Sequence, residues 1–196
     1  MLLGDWTPVV RDPVDLVRLS FVVGLPIAAV TATGSWKSLA VSTVAVLVVR
    51  PLNLPQPYDL SFCVALALTG WGDALGLYDR FGFYDNIVHF LVPMFFAPVL
   101  YIVLVRLDVL PELRERHERH HRIGIFVVTF ALGLAVGAVW EIFEWTSDRL
   151  FGSHLVHGAG DTASDLISDA GGAALGGALL VVWSVYAWAT ARRVSP

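Results

Sequence analysis

Long apolar runs separated by short polar stretches dominate the chain. Residues 19–36, 86–105, 123–140 and 170–190 contain no Asp, Glu, Lys or Arg. Each run is near the roughly 20 residues that a helix needs to cross the hydrocarbon core of a bilayer. A fifth run, 60–78, is broken only by Asp73. A sixth, SLAVSTVAVLVV at 38–49, is short, but Lys37 and Arg50 at its ends can snorkel toward the headgroups, so it counts as a span. The pattern predicts an all-α polytopic transmembrane bundle of six spans, roughly 16–35, 37–53, 59–78, 84–105, 123–146 and 162–190, in one integral-membrane domain. GLAVG (133–137) and GAALG (172–176) space their glycines four apart, the pattern that lets membrane helices approach closely. They predict tight packing of the last two spans.

Composition agrees. Of the 196 residues 56% are hydrophobic and 15% charged, against about a quarter charged in soluble domains. Cys63 is the single cysteine, which excludes an intrachain disulfide and a cysteine-based metal cluster. The opening MLLGDWTPVVRDP lacks a basic region followed by a long apolar stretch and a small-residue cleavage site, so no cleaved signal peptide is expected. The five arginines of RLDVLPELRERHERHHR (106–122) should stay cytoplasmic. Alternation from that loop puts Arg11, Arg18, Arg50, Arg192 and Arg193 on the same side, with both termini. Only Lys37, Arg80 and Arg149 lie outside. An inner (plasma) membrane location follows, with residues 79–84 and 146–161 facing outward. A re-entrant second run would leave those two loops on the same side.

The acids are not spread evenly. WEIFEWTSDRLFGSHLVHGAGDTASDLISD, residues 140–169, holds six carboxylates, two histidines and two tryptophans. Glu141, Glu144 and Asp148 stand at i, i+3 and i+7, one face of a helix. Asp161, Asp165 and Asp169 are four apart, a stripe descending about 12 Å. In FYDNIVHF, Asp85 and His89 share a face near the outer end of span 4, and Asp73 lies near the outer end of span 3. Ionised carboxylates near a helix centre cost about 2.5–3.5 kcal/mol each, and mutual repulsion adds to that. Such a cluster either holds a cation or shares protons in a wet cavity.

Carboxylate ligation suits Mg²⁺, Mn²⁺ or Ca²⁺; histidine, from His89 and also His154 or His157, tilts the choice toward Zn²⁺, Mn²⁺ or iron. Glu141-x-x-Glu144 is not the Glu-x-x-His pair of di-iron bundles. The expected metal ligands are Asp85, Glu141, Asp161, Asp165 and Asp169, with His89 and Glu144 as general acid/base. Asp161 also suits a helix N-cap, Asp165 the positive end of a helix, and Asp148 a pair with Arg149. A solvated loop accounts for His117, His120 and His121 among the arginines. Arg80 and Arg149 stand beside the acids, where either can hold a substrate phosphate or carboxylate.

The blocks YDNIVHF, WEIFEWTSD and GDTASDLISDAGGAALGG, in that order, resemble the YjdF-like family of inner-membrane proteins, a domain of unknown function, over roughly residues 60–185. That resemblance implies a polytopic helical fold and marks Asp85, His89, Glu141, Glu144, Asp161, Asp165 and Asp169 as motif residues. A weaker similarity is to the VanZ-like proteins, associated with glycopeptide resistance, which share an Asp-x-x-x-His element, a later Glu and an Asp-rich stretch before a glycine-rich last helix.

Three functions compete on the sequence: a divalent-metal enzyme acting on a lipid or lipid-linked phosphate at the outer leaflet, a cation- or proton-coupled transporter, and a non-catalytic membrane factor stapled by an ion. The enzyme reading lacks known phosphatase or phosphotransferase motifs. The transporter reading lacks inverted repeats and acids continuing inward. Membrane lipids are the expected partners, and nucleic acid is not.

Overall fold

A computed structural model describes residues 10, 12–31, 36–113, 119–151 and 158–186. Among these residues the chain is helical with no strand. The elements are α1 (Pro13–Thr31), α2 (Trp36–Val49), a 3-10 turn (Arg50–Leu52), α3 (Gln56–Ala74), α4 (Leu77–Arg80), α5 (Tyr84–Arg106), α6 (Arg119–Phe151) and α7 (Ala159–Tyr186). Six of them, α1–α3 and α5–α7, fall on the six apolar runs of the sequence. Four are long and apolar enough to cross a membrane: α1, α5, α6 up to Leu150, and α7. At 14 residues α2 is about 21 Å long, short of a hydrocarbon core of about 30 Å. In α3, Asp59 and Asp73 dilute the apolar pattern.

The described residues form two compact units, one ending at Tyr84 and one running from Asp85 to Tyr186. In the first, α2 packs on α3 and both pack on α1, around buried Phe21, Leu39, Val46, Phe62 and Ala65. Gly24 leaves room for Trp71, whose ring would lie 2.0 Å from a Cβ built on it. The Tyr84 hydroxyl donates to the Leu68 carbonyl at 2.8 Å, tying the end of the unit back to α3.

An ionic knot lies inside this unit. Arg18 donates to Asp15 at 2.9 Å, to both carboxylate oxygens of Asp59, and through Nε to the Val46 carbonyl at 3.1 Å. Arg50 closes the other side, reaching Asp15 through Nε and Nη2 at 3.1 Å each. Arg18, Asp15 and Asp59 are all buried. Such charges are tolerated because each guanidinium donates at least two hydrogen bonds to carboxylate oxygens that carry the opposite charge. The knot joins α1, the end of α2 and the start of α3. On the sequence, Arg18 reads only as a topology-setting cation, and Arg50 as that and as a snorkelling end of the second span.

In the second unit α6 packs along α7. The glycine pattern serves this contact in part. Gly133 meets Ala173, and Gly137 meets the Asp169 side chain. Gly172 and Gly176 instead face α5, where a Cβ would fall 1.8 Å from the Phe90 carbonyl oxygen and 2.4 Å from that of Met94. Gly172 and Gly176 therefore admit α5, while Gly133 and Gly137 admit α7.

Candidate functional site

The second unit gathers its ionisable groups where α5 begins, α6 ends and α7 begins. Because these helices alternate in direction, residues far apart in sequence share one end of the unit. Asp85 and His89 stand one turn apart on α5, and His89 Nε2 lies 3.7 Å from Asp85 Oδ1. From α6, Glu141 Oε1 approaches the same nitrogen at 4.0 Å. From α7, Asp169 Oδ1 meets the other ring nitrogen, Nδ1, at 3.2 Å. His89 is 3% exposed, Glu141 8%, Asp165 2% and Asp169 1%, while the Asp85 side chain is 35% exposed. The site is closed below and open at its mouth.

Among the described residues, two sets of side chains bring one ligand atom each within 4.8 Å of one another: Asp85, His89 and Asp165, and His89, Glu141 and Glu144. His89 belongs to both. Among the described residues, three buried atoms here have no hydrogen-bond partner: His89 Nε2, Glu141 Oε1 and Asp169 Oδ2. A buried polar group left unpaired costs about 1–3 kcal/mol, and more when charged. The gaps of 3.7 and 4.0 Å at Nε2 are too long for hydrogen bonds. An ion with bonds of about 2.0–2.2 Å would fit gaps of this size.

Neighbouring groups hold the acids in place. Asn86 donates to Ser164 Oγ at 2.9 Å and to Asp165 Oδ1 at 3.3 Å, linking the first turns of α5 and α7. Trp140 Nε1 donates to Glu144 Oε1 at 2.8 Å, one turn along α6. Neither Asn86 nor Trp140 stands out on the sequence as part of the site. The Trp140–Glu144 spacing of four residues was the available signal.

The remaining sequence candidates are placed as follows. Asp161 sits in the first turn of α7, which starts two residues earlier at Ala159, so the N-cap reading gives way to a first-turn acid at the positive helix end. Asp161 and Asp169 fall outside both ligand groupings among the described residues. Asp148 lies on α6 beyond Glu144. Arg149 packs over the Trp145 ring at 5.2 Å. Asp73 and Arg80 belong to the first unit. His121 Nε2 lies 3.1 Å from the Glu112 carbonyl, and His120 is exposed. His117, His154 and His157 lie outside the described residues.

Long apolar helices enclosing a carboxylate–imidazole cluster define a helical integral membrane protein. Residues 17–188 match the model of a family described as "Predicted membrane protein (DUF2238)", and the chain belongs to that family. It is similar to a protein of Thermotoga maritima described only as uncharacterised, at 29% identity over 103 residues. That alignment covers 50% of this chain and 47% of the relative, so the chain spans about half the length of the protein it matches. No solved structure matches.

Proposed function

We propose that the protein binds one divalent cation between α5, α6 and α7 and uses it on a lipid or lipid-linked phosphate at the outer membrane surface. The observation that carries this reading is the pair of buried, hydrogen-bond-free atoms His89 Nε2 and Glu141 Oε1, 4.0 Å apart. His89 Nε2 and Glu141 are the core ligands, with Asp85 and Asp165, which share the other grouping with His89, as further oxygen donors. One imidazole with several carboxylates suits Mn²⁺ or Zn²⁺ better than Ca²⁺, and Mg²⁺ is the harder alternative. Because both groupings use His89, the expected stoichiometry is one ion per chain. Bound there, a divalent ion would polarise a phosphoryl oxygen and lower the pKa of bound water. Glu144, only half-buried and oriented by Trp140, is the general acid/base.

The phosphate class follows from place and charge. The partly exposed Asp85 marks an opening at the helix ends, where headgroups lie. Arg149, stacked on Trp145 one turn beyond Glu144, adds a cation suited to an anionic headgroup. Six spans with cytoplasmic termini, in an inner membrane, put this opening outside. Ten of the thirteen Lys and Arg residues then lie inward. The YjdF-like motif residues coincide with the proposed ligand set and its surroundings. The VanZ-like similarity carries no part of the proposal.

Purified protein, dialysed against Mn²⁺ or Zn²⁺ and freed of excess, tests the reading by elemental analysis. Wild type should retain one equivalent, while Glu141→Ala and His89→Ala retain none and stay folded. Phosphate release from lipid-linked phosphates should depend on the ion and fall at least a hundredfold in Glu144→Gln. Metal-free wild type at every pH would mean that the acids share protons instead, and loss of fold in both variants would make the ion a staple.

A further inference from the structure

We infer that Asp169 positions the imidazole of His89 for the cation and is not itself a ligand. The inference rests on the cation reading above and deepens it. An imidazole has two nitrogens, and what one of them bonds decides what the other can do. Here Asp169 Oδ1 lies 3.2 Å from His89 Nδ1, while Nε2 is turned toward Asp85 and Glu141. With Nδ1–H donating to the Asp169 carboxylate, Nε2 carries a lone pair and faces the acids. That is the carboxylate–histidine–metal arrangement, in which the outer carboxylate fixes tautomer and ring orientation and raises ligand basicity.

Three further observations separate Asp169 from the ligands. It belongs to neither grouping of ligand atoms, although His89 belongs to both. It lies a full turn deeper on α7 than Asp165, about 6 Å farther from the mouth, and is 1% exposed. Its second oxygen, Oδ2, is parked against Gly137, where a Cβ would come within 2.1 Å of it. That hollow exists only because residue 137 has no side chain. The carboxylate is thus wedged between α6 and the imidazole, one oxygen on Nδ1 and the other in the glycine hollow.

The test uses whole protein in detergent with histidine-selective ¹⁵N labelling, loaded with one equivalent of Zn²⁺. The His89 signals are identified by their loss in His89→Gln. The expected long-range ¹H–¹⁵N pattern is Nε2 coordinated and Nδ1 protonated. Asp169→Asn keeps an acceptor oxygen and should preserve that pattern with a small loss of Zn²⁺ affinity. Asp169→Ala should weaken affinity about 10- to 100-fold while the Co²⁺-loaded protein keeps its ligand-field absorption intensity. Coordination through Nδ1 in wild type would overturn the inference and leave the cation reading standing. So would a loss of Zn²⁺ in Asp169→Asn as complete as in Glu141→Ala. Wild type that binds no Zn²⁺ overturns both. Should Asp169→Ala not fold, the wild-type spectrum and Asp169→Asn decide the matter.

Discussion

A single methyl group at position 137 should damage the site without touching a ligand. In Gly137→Ala the new Cβ would fall 2.1 Å from Asp169 Oδ2, 2.4 Å from Cγ and 2.8 Å from Cβ. Ordinary contacts need more than 3 Å, so the carboxylate or the α6–α7 spacing must give by about 1 Å. Such overpacking typically costs about 1–3 kcal/mol. The carboxylate cannot yield by that much and keep its bond to His89, which at 3.2 Å is already long. Losing a bond to a charged group removes about 1.5–3 kcal/mol of support for the ring. Metal affinity should therefore fall about 10- to 100-fold, the usual effect of removing a carboxylate behind a liganding histidine.

Gly24→Ala is the matched control, since its Cβ would meet Trp71 at 2.0 Å in the other unit. Zn²⁺ affinity by competition with a chelating dye, beside thermal unfolding in detergent, separates the two effects. Both variants should lose stability, and only Gly137→Ala should lose affinity. Equal affinity in Gly137→Ala and wild type would refute the proposed link from helix spacing to imidazole orientation.

Further outcomes follow from the same contacts. Arg18→Met leaves Asp15 and Asp59 buried without their shared partner and should cost about 3–5 kcal/mol in unfolding measurements; adding Asp59→Leu should recover a substantial part of that. Trp140→Phe removes the donor to Glu144 and should lower turnover while one equivalent of metal is still retained by elemental analysis. Asn86→Ala frees Asp165 from its tie to α5 and should weaken metal binding less than Glu141→Ala does, in the same dye competition. With Cys63 replaced by Ala, single cysteines at Asp79 and Ser153 should label from outside intact cells and one at Arg114 only after permeabilisation; the reverse pattern would invert the proposed topology.

Much of the fold was legible because bilayer thickness and the 3.6-residue period constrain helices strongly. The six runs became helices near their expected positions. The ends shifted because helices continue past the apolar stretch, as α6 does from Arg119 to Phe151. The convergence of Asp85, His89, Glu141, Glu144 and Asp165 was also legible, since acids at helical spacing on an apolar chain have few places to go. What the sequence could not give was which atom faces which. Asp169 and Asp165 look alike as members of one stripe, yet a turn of depth and the hollow at Gly137 set them apart. The Arg18–Asp59 pair spans 41 residues, and no local spacing announces it. Asn86 and Trp140 are ordinary helix residues until a neighbouring carboxylate is placed beside them.

Anomalous diffraction from crystals of the protein soaked in Mn²⁺ decides whether a cation sits where these side chains converge. One strong peak per chain should appear between His89 Nε2 and Glu141, within about 2.3 Å of each coordinating atom. A map with no peak there, and carboxylates turned apart into solvent, would contradict the account.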